Sequence, residues 1–348
     1  MPEQREQGWK QALADYVNLI NEANVREDPE PLGAIRDLEH RIRLVRRLRA
    51  SAKRNRESGI AAMRSELRAK VLRQDTGDRE AVAEVELHLL RSWEQHRQPW
   101  LEERVERERI RFIRVGSVWR LDRVDPLTHE RQAAWMETGQ WATTYQEAAG
   151  GYGTGVPSLP YLHPKAVNVY GVYAGEWNRG MPYRREEAVA YADRWWNRSN
   201  PEYETFPVNC TNYVSQCLFA GGAPMNYTGK RETGWWYKGR QGGRELWSYS
   251  WAVANSLAAY LSGKRAVGLR AERVASPWEL ALGDVICYDW DGTGRYQHTT
   301  VVTGFAPDGA PLVNANTVSS RRRYWDYRDS YAWTEGTRYA FFHLADEF

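Results

Sequence analysis

The C-terminal half of the chain is organised around one stretch, Asn209-Cys210-Thr211-Asn212-Tyr213-Val214-Ser215-Gln216-Cys217-Leu218-Phe219-Ala220-Gly221-Gly222. Apolar residues in it recur at helical spacing from Tyr213 onward, whereas Pro207 upstream forbids a continuous helix. The helix is therefore predicted to begin at or beside Cys210 and to end at the two glycines, where a left-handed stop is expected. A thiol in the first turn faces unpaired backbone N–H groups and the positive end of the helix dipole, which favour the thiolate. The stretch therefore predicts a nucleophilic cysteine.

These residues also carry a resemblance to a known family. Cys210–Leu218, followed by Ala220–Met225, resembles the "Putative amidase domain" family, a papain-like branch related to NlpC-type cell-wall peptidases. The resemblance covers residues 183–348 and includes Trp235-Trp236-Tyr237, Ser250-Trp251, Gly283-Asp284-Val285-Ile286 and His298-Thr299-Thr300-Val301-Val302. The family has Asp where this chain has Asn209, and His-Thr where it has Asn316-Thr317. The resemblance implies hydrolysis of an amide or peptide bond through an acyl-enzyme, with peptidoglycan fragments as one candidate substrate.

Composition limits the class of protein. A chain of 348 residues is long enough for two domains, and 42% hydrophobic with 27% charged residues is typical of a folded protein. The net charge of +3 gives no general argument for a nucleic-acid or membrane partner. The chain is rich in amphipathic aromatic residues, with 17 Trp and 20 Tyr against 7 Phe, which is compatible with a wall or carbohydrate ligand.

The cysteines and histidines give no sign of a metal site. Cys210, Cys217 and Cys287 are too few for a disulfide framework and form no CxxC pair. Cys217 and Cys287 lie among apolar residues of a predicted helix and strand, so both are predicted to be buried packing thiols. The histidines are scattered, and phosphate-loop and dinucleotide-binding motifs are missing from the sequence. We therefore predict no metal and no cofactor.

Residues 1–140 are predicted to form a smaller α+β domain of helices followed by antiparallel strands. Apolar residues at helical spacing predict helices over residues 4–22 and 35–48, and a shorter helix from Gly59 through Leu72. The period changes to two over residues 82–90 and 104–121, which predicts strands. The last hairpin, residues 112–121, resembles that of cone-shaped domains of the nuclear-transport-factor type.

The second predicted helix carries a dense basic stretch, because residues 36–56 hold nine Lys or Arg against two acidic residues. One interpretation is contact with a polyanion; the other is a solvated arginine face on a helix that packs its apolar side inward. Aromatic residues that stack on bases are not interleaved there, which favours the second interpretation. We therefore predict no nucleic-acid partner.

Residues 141–182 are rich in Gly, Pro and aromatic residues and are predicted to be a linker between two domains. Met1–Lys10 is polar, and no run approaches the roughly 18 apolar residues of a membrane span. The sequence as given therefore predicts a cytoplasmic protein. Association with the cell wall, or secretion, is the alternative if the chain is truncated or exported unconventionally.

Residues 183–348 are predicted to form a second α+β domain, in which helices precede an antiparallel sheet. The predicted strands are residues 284–288, 298–305, 311–316 and 339–344, with Asp291-Gly292 and Asp308-Gly309 as hairpin turns. A nucleophile on a helix and a histidine at the start of a later strand follow the papain-like order. We therefore predict a papain-like cysteine hydrolase domain.

Amide cleavage by a thiol requires a base, donors for the oxyanion and a group that fixes the tautomer of the base. His298 is the predicted base, since it opens a strand after Gly-Asp-Val-Ile. Asn314 and Asn316 lie on one face of the next strand, and either can orient His298; the resemblance favours Asn316. The helix N-terminus and a protonated His298 predict that Cys210 titrates below the ~8.5 of a free cysteine.

The backbone N–H of Cys210 is the predicted first oxyanion donor. Asn209 has two interpretations, a side-chain oxyanion donor and a helix cap. Trp235, Trp236, Trp251 and Trp290 are candidates for a substrate groove, although core packing is the alternative for each. The predicted function is a cysteine amidase or peptidase. The alternative is a non-catalytic peptide- or glycan-binding module on the same fold.

Overall fold

The computed structural model describes residues 2–128, 130, 167–168, 180–241, 244–266 and 268–348, and it divides into two compact units. Unit 1 comprises Met1–His129, Ala306–Gly309 and Val318–Trp333. Unit 2 comprises Glu130–Phe305, Ala310–Thr317 and Thr334–Phe348. The predicted linker, residues 141–182, lies outside the described residues except for 167–168 and 180–182.

The described elements are numbered in chain order. The helices are α1 (Pro2–Arg26), α2 (Leu38–Ser58), α3 (Arg185–Trp195), α4 (Cys210–Ala220), α5 (Tyr249–Ala252) and α6 (Ala254–Ser262), with 3-10 turns at Glu30–Ala34 and Pro277–Glu279. The strands are β1 (Ala61–Thr76), β2 (Glu80–Gln95), β3 (Gln98–Val115), β4 (Val118–Pro126), β5 (Val167–Asn168), β6 (Asn226–Tyr227), β7 (Tyr237–Gln241), β8 (Arg244–Trp247), β9 (Ala271–Val274), β10 (Val285–Asp289), β11 (His298–Phe305), β12 (Pro311–Ala315), β13 (Ser319–Tyr324) and β14 (Arg338–Leu344).

Unit 1 packs α1 and α2 against an antiparallel sheet. The strands run in the order β1-β2-β3, and β3 pairs on its other side with both β4 and β13. The predicted helical spacing of α1 is confirmed, because Trp9, Leu13 and Tyr16 belong to the buried core of this unit. Helix α2 begins after Asp37, whose side chain accepts the N–H of His40 at 3.0 Å.

The predicted helix from Gly59 to Leu72 is wrong, because β1 occupies Ala61–Thr76. Most residues of β1 are exposed or half-buried, so neither a helical nor a strand period of apolar residues marks it. The strand pairs with β2 from Ala61 opposite Glu94 to Thr76 opposite Ala81. This ladder overrides the helix propensity of the local residues.

The basic stretch on α2 is partly an interior feature of unit 1. Arg47 and Arg54 are buried, and each pairs with an acid inside the unit. Arg47 bonds to Glu106 of β3 at 2.7 Å, and Arg54 bonds to Asp326 at 3.1 Å. The interpretation of a solvated arginine face therefore fails for Arg47 and Arg54, whose guanidinium groups pair with carboxylates of unit 1.

Unit 2 places its helices before its antiparallel sheet, which confirms the α+β class. The strand order is β12-β11-β10-β14-β9. Helix α4 packs on β11 and β12, and every residue from Cys210 to Leu218 is buried. The helix ends at Gly221, with φ −69°, and the left-handed residue is Gly222, with φ 98°. A methyl group on Gly221 would lie 2.5 Å from the ring of Tyr183, so this position requires glycine for close packing.

Candidate active site

Cys210 is the first residue of α4, as the sequence predicts, and only 1% of its surface is exposed. The preceding residue, Asn209, has φ −106° and ψ 3°, and its backbone turns the chain into the helix. The thiol therefore lies at a helix N-terminus, where backbone N–H groups and the helix dipole favour negative charge.

Burial is the largest influence on the Cys210 thiol, and it raises the pKa above the ordinary value. Hydrogen bonds from the Thr211 side chain, the Thr317 side chain and the Thr299 backbone act in the opposite direction. The Thr211 hydroxyl lies 3.7 Å from the sulfur. The expectation that Cys210 titrates below a free cysteine is therefore wrong for this state, because desolvation outweighs the hydrogen bonds and the helix N-terminus.

Thr317 receives the backbone N–H groups at the start of α4. Its Oγ1 accepts the N–H of Cys210 at 3.0 Å and the N–H of Asn209 at 3.2 Å. The Cys210 N–H is the predicted oxyanion donor, and in this state it donates its hydrogen bond to the Thr317 hydroxyl. Two backbone N–H groups converging on one oxygen have the geometry of an anion-binding nest.

The Asn209 side chain does not cap the helix. Its Oδ1 accepts the Asn212 amide at 2.9 Å and the Phe206 N–H at 3.2 Å. Its Nδ2 donates to Asn316 Oδ1 at 2.8 Å. The cap interpretation is therefore wrong, because the side chain holds the loop that precedes α4. The oxyanion-donor interpretation stays a prediction that requires Asn209 to exchange one of these partners.

The structure gives Asn316 a different role from the predicted one. Its Nδ2 donates to the carbonyl groups of Trp195, Trp196 and Arg198 at 2.8 to 3.3 Å, while its Oδ1 accepts Asn209. These bonds join the end of α3 to the start of α4, and none of them reaches His298. Asn314 bonds to the Thr303 hydroxyl at 2.8 Å and to Asp193 at 3.0 Å.

The register of β11 and β12 explains this difference. Val301 lies opposite Asn314, and a bulge between Val302 and Gly304 shifts the pairing by one residue. Continuing the register beyond the bulge sets Asn316 across from Thr299 and Thr317 across from His298. The geometry therefore does not support Asn316 as the group that orients His298.

His298 is buried and opens β11, as predicted. Its ring lies 5.7 Å from the Trp290 ring, at an interplanar angle of 26°, and 5.4 Å from the Tyr288 ring. The next residue, Thr299, has its hydroxyl 3.1 Å from that of Thr211 on α4. Within the described ranges, the hydrogen bonds of Cys210 go to threonines and not to His298. Catalytic hydrogen bonds often tighten only when the substrate binds.

The four candidate groove tryptophans lie in the interior of unit 2, with at most 3% of their surfaces exposed. The indole N–H of Trp235 donates to Ser215 at 3.0 Å, and that of Trp251 donates to Asn212 at 2.8 Å. Trp290 stacks on His298. In this state they are core residues, so an open substrate groove formed by them is not supported.

Cys217 and Cys287 are fully buried, which confirms the prediction of packing thiols. In the part of the chain that the structure describes, His, Cys, Asp and Glu form no group of three or more that could hold a metal ion. The described helices include none long and apolar enough to cross a membrane.

Sequence reasoning missed three threonines of the site, Thr211, Thr299 and Thr317. Thr211 and Thr299 are fully buried and bond to each other, and Thr317 bonds to the backbone of Cys210. Each is adjacent in sequence to a predicted site residue. That adjacency was the available signal, because a polar residue beside a catalytic one is a candidate to position it.

Comparison with known proteins gives a match to a family model over the segment that contains this site. Residues 182–342 match the family model described as "Putative amidase domain". That segment holds Cys210, His298 and their threonine neighbours, so the resemblance found in the sequence is confirmed for residues 182–342. The relation to NlpC-type peptidases stays a prediction.

The chain is also similar to "Uncharacterized protein YhbB" of Bacillus subtilis (strain 168), with 53% identity over 169 residues. The aligned part covers 49% of this chain and 52% of that protein, so the chain spans about half the length of the curated relative it matches. Among solved structures, "Crystal structure of intermembrane space region of chloroplast protein ARC6" gives a TM-score of 0.25 at 14% identity, covering 34% of this chain and 92% of that chain.

Proposed function

We propose that unit 2 hydrolyses amide bonds, with Cys210 as nucleophile and His298 as general base, on a papain-like arrangement of helix and sheet. One observation carries the proposal. The Cys210 thiol lies at the start of α4 among hydrogen-bond donors from three threonines, on a helix that packs on the strand that His298 opens. This site lies inside the segment that matches the "Putative amidase domain" model. A helix N-terminus and a cluster of hydrogen-bond donors both favour a thiolate. In this proposal His298 supplies the base from the start of β11.

The proposed reaction runs in two halves. The Cys210 sulfur attacks the carbonyl carbon, and its proton passes to His298, which returns it to the departing amine. A thioester joins Cys210 to the acyl group. Water then attacks the thioester, His298 accepts a proton from it and returns the proton to the sulfur, and the free acid leaves. The backbone N–H groups of Cys210 and Asn209 stabilise the oxyanion in both halves.

The substrate class is an amide, and a peptide derived from the cell wall is the first candidate. The abundance of Trp and Tyr in the sequence is compatible with such a ligand, and the sequence resembles wall peptidases around Cys210. Incubation with purified muropeptides, followed by mass spectrometry of new amines, tests this choice. Turnover of simple amides without cleavage of muropeptides would assign a small-molecule amidase instead.

Substitution of the two reacting groups tests the mechanism. Cys210→Ala and His298→Ala are each expected to lower kcat/KM by at least about 10³-fold, since the two groups act as one unit. The double variant should be little worse than either single variant, because residues that act together are not additive. The measurement is kcat/KM for whichever amide the native protein cleaves, with folding checked by circular dichroism.

Cys217→Ala is the matched control, because Cys217 is a buried thiol of the same helix. The proposal gives it no part in the reaction. It should keep nearly all activity. Activity retained in Cys210→Ala would exclude sulfur as the nucleophile. Activity retained in His298→Ala alone would assign the base to another residue.

A second candidate function is a non-catalytic binding module for peptides or glycans. It is favoured by the closed state of the site, in which Cys210 is buried, its thiol pKa is raised and its N–H is taken by Thr317. Iodoacetamide separates the two functions on native protein at neutral pH. Faster labelling of Cys210 than of Cys217 and Cys287 supports the enzyme, and equal labelling of all three supports the binding module.

A further inference from the structure

Unit 1 contains a cavity between its two helices and its sheet, and every residue that lines the cavity belongs to this unit. Aliphatic side chains form most of the wall, among them Ile20 of α1, Leu48 of α2, Leu67 of β1 and Leu87 of β2. The empty volume is ≈ 600 Å³, solvent at the mouth included. This volume leaves room for a small molecule, and walls of this kind favour an apolar body.

One guanidinium group in the wall has unused hydrogen-bonding capacity. Arg91 of β2 lines the cavity and is only 6% exposed. Its Nη2 donates to Oδ1 of Asn24 at 2.9 Å, whereas its Nη1 lies 3.6 Å from Oδ2 of Asp329, beyond ordinary hydrogen-bond distance. Among the residues that the structure describes, the buried Nε of Arg91 has no hydrogen-bond partner. A buried donor in this state carries a desolvation cost that an acceptor from a ligand would remove.

The carboxylate of Asp329 does not neutralise Arg91, because two other arginines hold it. Its Oδ1 accepts the Nε of Arg323 at 2.9 Å, and its Oδ2 accepts the Nη2 of Arg104. Burial lowers the pKa of Arg91 to about 10, and the positive charge of Arg104 acts in the same direction. Arg91 therefore stays charged at neutral pH without a carboxylate of its own.

The charges buried around the cavity leave one positive charge in excess. In the described part of unit 1, four linked guanidinium groups meet three carboxylates; the basic residues are Arg47, Arg91, Arg104 and Arg323, and the acidic residues are Glu102, Glu106 and Asp329. Glu108 also lines the cavity, but burial raises its pKa to about 7, so it favours the neutral form below that pH. A monovalent anion would balance this cluster, whereas a divalent phosphate would exceed it.

We propose that this cavity binds a small amphipathic carboxylate, with its carboxylate on Arg91 and its apolar body against the aliphatic wall. The Nε and Nη2 of an arginine present two parallel N–H groups that match the two oxygens of a carboxylate. Asn24, which now accepts the hydrogen of Nη2, is the group that the ligand carboxylate replaces. The site belongs to unit 1 alone, so it does not depend on the proposed amidase function.

Isothermal titration calorimetry of the full chain with octanoate tests the proposal, at about pH 6, where Glu108 favours its neutral form. Octanoate should bind saturably, one molecule per chain. Octanol and octylammonium carry the same apolar body without the negative charge, and acetate carries the charge without the apolar body. Each of the three should bind at least about tenfold more weakly than octanoate, because each lacks one of the two recognised parts.

Two substitutions locate the site. Arg91→Met removes the guanidinium group and should weaken octanoate binding at least about tenfold, since the charge-assisted hydrogen bonds are lost. Leu87→Phe fills the cavity without altering its charges and should weaken binding by a similar factor. Arg109→Met is the matched control, because Arg109 of β3 is an exposed arginine that pairs with Glu84 and lies outside the cavity wall. It should bind octanoate as the native protein does.

Absence of saturable octanoate binding would overturn the proposal, and equal affinities for octanoate and octanol would overturn the role of the charge. Unchanged binding in both Arg91→Met and Leu87→Phe would show that octanoate binds elsewhere on the chain and would overturn the assigned site. Arg91→Lys replaces Arg91→Met if circular dichroism shows that the latter fails to fold. It keeps the charge but lacks the planar pair of donors, so it should also weaken binding. Leu67→Phe replaces Leu87→Phe on the same criterion.

Discussion

At the scale of single residues, the side chains of Asn209 and Asn316 form one hydrogen-bonded pair. The resemblance noted in the sequence implies Asp and His at these positions, and here the two asparagine side chains bond to each other at 2.8 Å. Both are nearly buried. A neutral amide pair thus stands where the resemblance implies a carboxylate and an imidazole, and the two departures are in direct contact.

This coupling predicts a non-additive pair of substitutions. Asn209→Asp alone places a buried carboxylate against the Oδ1 of Asn316. The Nδ2 of Asn316 already donates to three carbonyl groups and cannot turn to the carboxylate, so the variant should lose about 2–4 kcal/mol of unfolding free energy. Asn316→His alone should also destabilise, because it removes donors to those carbonyls. The double variant combines Asp and His at these positions. It should lose less unfolding free energy than the two single variants lose together. A double-mutant cycle from urea unfolding measures the difference.

Asn314→Ala provides the control for that cycle, because Asn314 bonds to Thr303 and Asp193 instead of Asn209. Its combination with Asn209→Asp should be additive within about 0.5 kcal/mol. Additivity of Asn209→Asp with Asn316→His would show that the two positions are independent.

The sequence was informative about Cys210 and less informative about its partners. The loop-to-helix transition at Cys210 follows from local signals, since Pro207 and the helical spacing both act within a few residues. Whether Asn314 and Asn316 share a face with His298 depends on a bulge between Val302 and Gly304, because a one-residue slip changes which residue lies across from His298. Bulges leave no reliable local signal, so the structure was needed to find Thr317.

At the scale of elements, α1 and α2 meet β3 through a buried polar chain in unit 1. The Tyr16 hydroxyl of α1 bonds to Glu108 of β3 at 2.9 Å and to His40 of α2 at 2.8 Å. Burial, reinforced by Glu106, raises the pKa of Glu108 to about 7. Burial, reinforced by Arg43, lowers the pKa of His40 to about 3. Docking of both helices therefore favours the neutral forms of both groups.

This chain of groups predicts a pH-dependent stability of unit 1. The pKa of Glu108 in the folded protein lies above its ordinary value of 4.5. Its contribution to the stability of the fold is therefore present below pH 4.5 and is lost as pH rises through 7. Glu108→Gln removes this loss. The free energy of unfolding of the variant, relative to that of the native protein, should therefore rise by about 2–3 kcal/mol between pH 4.5 and pH 8, as measured by urea unfolding.

Glu106→Gln is the control of opposite sign. Burial opposes ionisation of Glu106, but Arg47 and Arg104 overcome it and lower its pKa to about 2. Its stabilising contribution is present above pH 4.5 and is lost as pH falls through 2. Glu106→Gln should therefore destabilise unit 1 at neutral pH and progressively less in acid. Parallel pH profiles for the two variants would contradict these assignments.

At the scale of the whole molecule, the sequence predicts a C-terminal domain of residues 183–348, and the structure assigns the segment Val318–Trp333, which we call the arm, to unit 1. Local patterns could not reveal this, because β13 is short and the residues that anchor the arm are Asp and Arg, which the sequence alone would place at the surface. Their burial depends on partners more than 200 residues away, such as Arg104 for Asp329.

The arm gives the last prediction, which concerns the predicted boundary at residue 183. A fragment of residues 183–348 lacks β3, Arg54 and Arg104, so its arm loses the β3 ladder and the guanidinium partners that the N-terminal half supplies. Backbone amides of residues 318–333 should then exchange with solvent at least about tenfold faster than in the full chain, because local opening no longer breaks a buried ion-pair cluster. Amides of α4 and β10 should stay protected in both, which controls for global unfolding. Hydrogen exchange with mass spectrometry makes the measurement. Equal protection of the arm in fragment and full chain would show that residues 183–348 hold it without the N-terminal half, in agreement with the boundary predicted from the sequence.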